Sequence, residues 1–445
     1  MTIATAQPVT RHLSRGALLA AVGALMFLVS RAVPEAHSGV WAIAAIGFLL
    51  VAGTLTSELV ELLRLPHLTG YVLTGIVAGP HVLRLVDDPT VRSLSPINTL
   101  ALALIALAGG AELDFGAMRD AARSLAWATL VQSVFVLVAV SGAFLLAAPF
   151  VSFTHGLTFG ALLGVAFLWG ALAVSRSPSA TLAILSQTRA TGRLASFTLA
   201  FVMTSDVVVV VLTAAVIGAV RPLIDPSAAF SFGSLVNLGH ELFGSVALGT
   251  TLGLVIATYL RFVDRQMLVV LLVLGFGVSS VLDYLQFDAL LTFMVAGFVV
   301  RNMSRQGHKL VAHIEQTGTV VYVIFFATAG ADLDVPLLRH LWPVALALTG
   351  SRAAITWLGG RVAGSLAGDS ADLRCWSWSG LISQAGLTLG LSAIVAREFP
   401  AIGTPLRALA IAAIAVNEMI GPVLFKFALD RTGETSRVRG PSFAG

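Results

Sequence analysis

The sequence predicts an all-α polytopic membrane protein of 13–14 transmembrane helices, arranged as an inverted-topology repeat with a broken helix in each half. Three observations predict it. Only 11% of the 445 residues are charged, 57% are hydrophobic, and the mean hydropathy is +0.91. Apolar stretches of spanning length follow one another along the chain. A short acidic motif recurs with an odd number of those stretches between its copies.

Composition sets the solvent. Soluble domains carry about 25% charged residues, and a chain this poor in charge cannot build a solvated surface, so most of its surroundings are lipid. The single cysteine, Cys375, excludes an internal disulfide and a zinc cluster. The net charge of +4 comes from scattered arginines, with no basic block of the kind that grips nucleic acid. No nucleophile–base arrangement or metal motif is present, and the nine histidines show no ligand spacing. Neither an enzyme, a resident cofactor nor a nucleic-acid partner is expected.

A spanning helix needs about 20 mostly apolar residues. Fourteen stretches qualify: 16–32, 40–63, 67–83, 96–112, 121–148, 156–187, 194–220, 234–259, 266–282, 288–301, 318–332, 341–366, 376–397 and 404–428. A barrel would show short alternating strands instead. Placing every Lys and Arg except Arg176 and Arg352 on alternating sides of these spans, whose limits are rough, puts eighteen on the side of the N-terminus and seven on the other. The bias puts both termini in the cytoplasm. Arg176 and Arg352 fall inside spans. Arg11 and Arg15 before the first apolar run also fit a signal peptide, whose removal would leave thirteen spans and an external N-terminus.

Residues 110–120 read GAELDFGAMRD and 330–340 read GADLDVPLLRH. Seven crossings separate the copies, so they lie on opposite faces and the repeat is inverted. Other echoes keep a similar offset: Ala78-Gly79 with Ala296-Gly297, Gly170 with Gly380, and Asp206 with Asn417. The expected division is 1–39 as an N-terminus with an extra helix, 40–220 as the first repeat, 221–265 as a linking helix, 266–429 as the second repeat and 430–445 as a short cytoplasmic tail. Inverted repeats with interrupted helices near the midplane are a usual construction of secondary transporters. The interruptions here are AVSRSPSAT in the sixth span and LISQAGLTLG in the thirteenth. The acids of the echo sit at span ends, where water reaches them, so Asp114 and Asp334 read as boundary markers.

An ionisable side chain at the bilayer centre is a site hypothesis by default. Asp206, in LAFVMTSDVVVVVLTAAV, has apolar flanks on both sides. An acid so placed can hold a proton or a partly dehydrated alkali ion, but not both well. Ser205 precedes it, and Ser175, Ser177, Ser179 and Thr181 surround Pro178 in the sixth span. Pro178 removes a donor and frees carbonyls a turn earlier. Hydroxyls and freed carbonyls are the hard oxygen ligands that an alkali ion takes, although each hydroxyl can equally cap and patch the kink. Arg176 can reach the cytoplasmic interface by snorkelling and is left out of the site. Arg352 keeps its charge and needs an acid or carbonyl partner; Glu418, the other buried acid, is a candidate to balance it. Ser383 and Gln384 of the second interruption can line the same cavity.

These residues resemble the monovalent cation:proton antiporters, the second branch of the sodium/proton exchanger superfamily. The resemblance runs from Trp41 to Leu429. It is carried by LPHLTGYVLTGIVAGP at 65–80, ALAGGAELDF at 106–115, AVSRSPSATLAIL at 173–185, TSDVVVVVL at 204–212, LLTFMVAGFVVRN at 290–302, FFATAGADLD at 325–334 and GLISQAGLTLGL at 380–391. The resemblance implies a homodimer in which a core domain moves against a dimerisation domain. It implies two broken helices that cross beside the helix carrying the ion-binding aspartate, which maps to Asp206. Relatives with two adjacent acids tend to be electrogenic; Ser205 stands in the first place here, so one cation per proton is implied. An acid that balances the basic residue in some relatives is replaced here by Phe201. A nucleotide-binding regulatory domain like that of potassium-efflux members is not expected after the last span.

The reading is a secondary active transporter that exchanges Na⁺ or K⁺ for protons, set in a bacterial inner membrane. The transported ions and membrane lipid are its only expected ligands. A gated potassium-permeable channel and a sodium-coupled organic-anion symporter on a related scaffold are the alternatives. The midplane carboxylate favours the exchanger, and the scarcity of other polar groups argues against the symporter.

Overall fold

The computed structural model describes residues 7–32, 38–63, 65–224, 233–263, 266–285, 287–304, 307–333 and 335–435. Asp334 of the echo, Arg64, Arg265, Arg305, Arg437 and Arg439 of the charge count, and most of the predicted tail lie outside the described residues. Among them the regular structure is helical. In chain order the helices are α1 (Gln7–Ala32), α2 (Ser38–Glu61), α3 (His67–Ala78), α4 (Asp88–Ser93), α5 (Ser95–Glu112) and α6 (Phe115–Asp120). There follow α7 (Ala122–Ala147), α8 (Phe159–Val174), α9 (Pro178–Thr188), α10 (Arg193–Ile224), α11 (Gly233–Phe262) and α12 (Met267–Leu285). The last are α13 (Ala289–Met303), α14 (Gly307–Ala331), α15 (Val335–Ala367), α16 (Ala371–Trp376), α17 (Gly386–Glu398) and α18 (Pro400–Thr432). Each predicted span holds a helix or a pair of helices, and the two that hold pairs are the sixth and the thirteenth.

Six of the described helical stretches are long and apolar enough to cross a membrane: Trp41–Glu61, Ala122–Phe150, Phe159–Thr188, Arg193–Ile224, Phe243–Phe262 and Pro400–Thr432. Six further apolar helices are shorter. The 12 residues of α3 extend about 18 Å, less than the roughly 30 Å of a hydrocarbon core. The remaining helices in predicted spans fall short of that length or of that apolar content.

The chain divides into two compact units, Met1–Phe115 with Ser231–Pro343, and Gly116–Phe230 with Val344–Gly445. Each unit takes part of both proposed repeats.

In the first unit, two helix pairs meet backbone to backbone. A Cβ on Gly75 of α3 would stand 1.9 Å from the Ala327 carbonyl oxygen of α14, and one on Gly330 would stand 2.2 Å from that of Val72. Between α5 and α13, a Cβ on Gly110 would meet the Met294 oxygen at 1.9 Å, and one on Gly297 the Leu107 oxygen at 2.1 Å. Only glycine permits this approach, as in small-residue crossings within lipid. The two crossings are the same pattern shifted along the chain. Gly75 and Val72 precede Gly297 and Met294 by 222 residues, and Leu107 and Gly110 precede Ala327 and Gly330 by 220. Asp114, just past α5, is exposed and 3.9 Å from Arg301 of α13, while Asn302 donates to the Leu113 carbonyl at 2.9 Å.

The second unit holds the two interruptions. α8 stops at Val174, and α9 restarts with Pro178 at its first position and Ser177 as its N-cap, accepting from the Ala180 amide at 3.1 Å. Proline suits that place because the amide it lacks would be unbonded anyway. A short 3₁₀ turn, Ser377–Leu381, ends the first part of the other interruption, and α17 restarts at Gly386. Small residues let the neighbours close in. A Cβ on Gly380 would meet Thr198 of α10 at 2.4 Å, and one on Gly421 of α18 would meet Ser383 at 2.2 Å. The N-terminus of α10 is held by Glu434, whose two carboxylate oxygens accept from the Leu194 and Ala195 amides at 2.8 Å each. An anion there offsets the unpaired amides of a helix start.

Candidate functional site

All the sequence-predicted site residues lie in the second unit. The two interruptions leave helix-end carbonyls without partners in their own helices. Arg352 of α15 gathers them. Its Nε donates to the Ala173 carbonyl at 2.7 Å and its Nη2 to that of Ser175 at 2.9 Å. Its Nη1 donates to Ile382 at 2.8 Å, and Nη2 also reaches Leu381 at 3.1 Å. One buried guanidinium thus ties the C-terminal ends of both half-helices, where the peptide dipoles leave partial negative charge. Of the two partners that the sequence allowed, the carbonyls take Arg352. The Arg352–Glu418 pairing is corrected: no ion pair joins them among the described residues. A planar fork can satisfy carbonyls from several directions, so the charge is compensated without an acid. Glu418 is nonetheless buried, at 5% exposure.

A second layer of polar side chains spans the same two breaks. Gln384 Nε2 donates to the Leu172 carbonyl at 2.9 Å and reaches that of Ser175 at 3.3 Å. Gln384 Oε1 accepts from Asn417 Nδ2 of α18 at 2.7 Å. Thr388 of α17 donates to Ser175 Oγ at 2.9 Å. Ser175, Arg352, Gln384, Thr388 and Asn417 are therefore one hydrogen-bonded cluster. Sequence reading missed Thr388; its signal was its position one helical turn after Gln384. A small cleft opens beside the cluster, lined by Trp169, Thr349, Arg352, Gln384, Thr388 and Asn417 among others. Trp169 Nε1, Thr349 Oγ1 and Asn417 Oδ1 are buried there without a hydrogen-bond partner among the described residues, the condition that a bound water relieves.

Ser177 and Thr181 are placed differently. The Ser177 hydroxyl caps α9 and meets Ser179 Oγ at 3.1 Å, and Thr181 Oγ1 donates back to the Ser177 carbonyl at 3.0 Å. Both hydroxyls thus serve the local kink in this state. Ser383 is buried where α18 passes over the second break.

Asp206 lies near the middle of α10, 5% exposed, beside Ser205 at 0%. Ser205 Oγ donates to the Val202 carbonyl at 3.0 Å, one turn back. α10 packs against α8, α9 and α17, which brings Asp206 to the broken helices from the side. It does not line the cleft. Arg176 corrects the sequence reading. It does not snorkel: it is 2% exposed, with its guanidinium 4.7 Å from the centre of the Phe201 ring of α10. It interacts electrostatically with Asp206. A cation over an aromatic face gains about 0.5–2 kcal/mol, whereas burying a charge costs several, so the ring alone does not account for its burial. Among the described residues, no group of three His, Cys, Asp or Glu side chains could hold a metal ion.

The family model of the transmembrane part of sodium/hydrogen exchangers matches residues 18–430. No curated protein matches the chain by sequence. Among solved structures, the chain is similar to that of the sodium proton antiporter MjNhaP1 from Methanocaldococcus jannaschii at pH 8. That match has 18% identity and a TM-score of 0.66 over 89% of this chain and 97% of that one. An electron-microscopy structure of the same antiporter aligns with a TM-score of 0.70 at 18% identity, over 89% and 99% of the two chains. At this identity the likeness is one of fold.

Proposed function

The chain belongs to the sodium/hydrogen exchanger family, multi-pass membrane transporters rather than enzymes, and from that premise we propose that it exchanges Na⁺ or K⁺ for protons by alternating access. Asp206 is the carrier and binds either a cation or a proton. With Ser205 beside it in place of a second acid, one cation crosses per proton and the exchange is electroneutral.

The observation that carries this reading is the placement of Asp206. A carboxyl buried mid-helix in an apolar segment is costly unless it is used, and this one lies on the helix that packs against both interruptions. The half-helix amides, the Ser175 and Ser205 hydroxyls and freed carbonyls supply the hard oxygen and dipole environment that a partly dehydrated alkali ion needs. Ser177 and Thr181 would join as ligands when the kink rearranges, and Ser383 and Gln384 line the second break. Arg352 balances the two half-helix ends, and Glu418 is buried without an ion pair to it among the described residues. The equivalent glycine crossings at offsets of 220 and 222 residues support the inverted repeat. A homodimer in a bacterial inner membrane with a cytoplasmic C-terminus completes the reading.

The test is cation-induced proton movement in proteoliposomes with Na⁺, K⁺ and Li⁺, run beside Asp206→Asn. Exchange is expected in the wild type and absent in the variant. Undiminished exchange in the variant overturns the carrier assignment. A rate that follows an imposed voltage overturns electroneutrality, and a voltage-driven cation flux without proton movement identifies a channel instead.

A further inference from the structure

Among the described residues of the second unit, Arg176 and Arg352 are buried, and they are treated differently. Arg352 spends its donors on four helix-end carbonyls. Arg176 stands between Ser175 and Ser177 in the first break, and its Nε and Nη1 have no hydrogen-bond partner among the described residues. The Phe201 ring, the repelling charge of Arg352 and the attracting charge of Asp206 act on it. A guanidinium stays charged, and a buried charge persists only where another group compensates it. Phe201 and Asp206 share α10, five residues apart, so the ring that seats the guanidinium belongs to the helix that carries the carboxylate.

The second half of the chain shows the same relationship in neutral form. Arg176 and Gln384 are 208 residues apart and Asp206 and Asn417 are 211 apart, close to the 210 that separates Gly170 from Gly380. In each pair the first residue lies in a break and the second on a long helix. Gln384 and Asn417 are joined by a 2.7 Å hydrogen bond. The charged pair therefore occupies the place where its counterpart makes a direct contact.

We propose that Arg176 is a tethered competitor for the Asp206 carboxylate, a fixed cation that the transported alkali ion must load against and that sets the affinity of the site. This rests on the reading of Asp206 as the carrier. In the unloaded site the guanidinium stabilises the carboxylate. In the loaded site it raises the energy of the bound ion, which weakens binding and eases release. Arg176 is a specificity- and affinity-determining residue, and the ion contacts Asp206 rather than Arg176.

The experiment measures the half-saturating concentrations of Na⁺, K⁺ and Li⁺ for proton release by the full chain in proteoliposomes. Arg176→Gln and Arg176→Met both remove the charge at similar length. Each is expected to lower the half-saturating concentration about tenfold or more, the scale of removing one unit charge that acts on the site in a protein-like dielectric. Arg176→Lys, whose ammonium stops short of the guanidinium's reach, falls between wild type and the neutral variants. Unchanged or raised values in the neutral variants overturn the proposal. If neither neutral variant folds, an unchanged or raised value in Arg176→Lys overturns it. Loss of exchange in Asp206→Asn together with an unchanged Arg176→Gln defeats the competitor alone. Persistent exchange in Asp206→Asn defeats the carrier reading beneath it.

Discussion

Asn417 donates to Gln384 at 2.7 Å, and Gln384 passes the link to the Leu172 carbonyl at 2.9 Å. A long helix is thereby bonded to the residue between two half-helices, and that residue to the end of another half-helix. Asn417→Ala leaves the Gln384 oxygen buried without its donor and costs about 1–3 kcal/mol. Thermal unfolding of the purified protein reads the loss. A double-mutant cycle with Gln384→Ala should return a coupling of about 0.5–3 kcal/mol; strictly additive losses would show that the bond carries no energy.

Arg352 compensates four carbonyls at once. Arg352→Ala strips them together and should destabilise the second unit by about 3–5 kcal/mol. Arg352→Lys restores the charge but not the fork and should recover only part. A lysine variant as stable as wild type would show that charge alone holds the breaks. Because the partners are carbonyls, Glu418→Gln removes no partner of Arg352 and should cost clearly less than Arg352→Ala.

The glycine crossings make a paired prediction. Gly75→Ala and Gly110→Ala each drive a methyl into a carbonyl at 1.9 Å, and each should cost about 1–3 kcal/mol or more. Gly142→Ala, with nothing within 4 Å of the new carbon, should be neutral or gain about 0.5–1 kcal/mol. Melting temperatures of the three variants, compared side by side, check the contrast.

Glu434 holds the start of the helix that carries Asp206. Glu434→Ala should cost about 0.5–2 kcal/mol and raise amide exchange at Leu194 and Ala195. Protection unchanged at those two amides would show that the carboxylate does not hold the helix start.

The membrane class was legible in the sequence because lipid leaves little choice. A chain with so few charges must bond its backbone internally, and helices do so within one segment. The positions of both breaks were legible too, because AVSRSPSAT and LISQAGLTLG disturb an apolar run wherever the chain goes. Asp206 stood out because an acid is costly there whatever its neighbours. Partnership was not legible. Arg352 had an acid and many carbonyls open to it, and the choice fell to carbonyls from segments 179 and 30 residues away. Arg176 looked long enough to reach water, but packing seated it over Phe201 instead.

The sequence by itself determined an all-helical membrane chain, a repeated plan and the buried acid, since these follow from local composition and periodicity. Only the tertiary structure decided that one arginine gathers both half-helix ends while the other is seated over Phe201 on the helix that carries Asp206. Electrostatic compensation depends on which groups lie within a few ångströms, and that distance is set by packing between segments far apart in the chain.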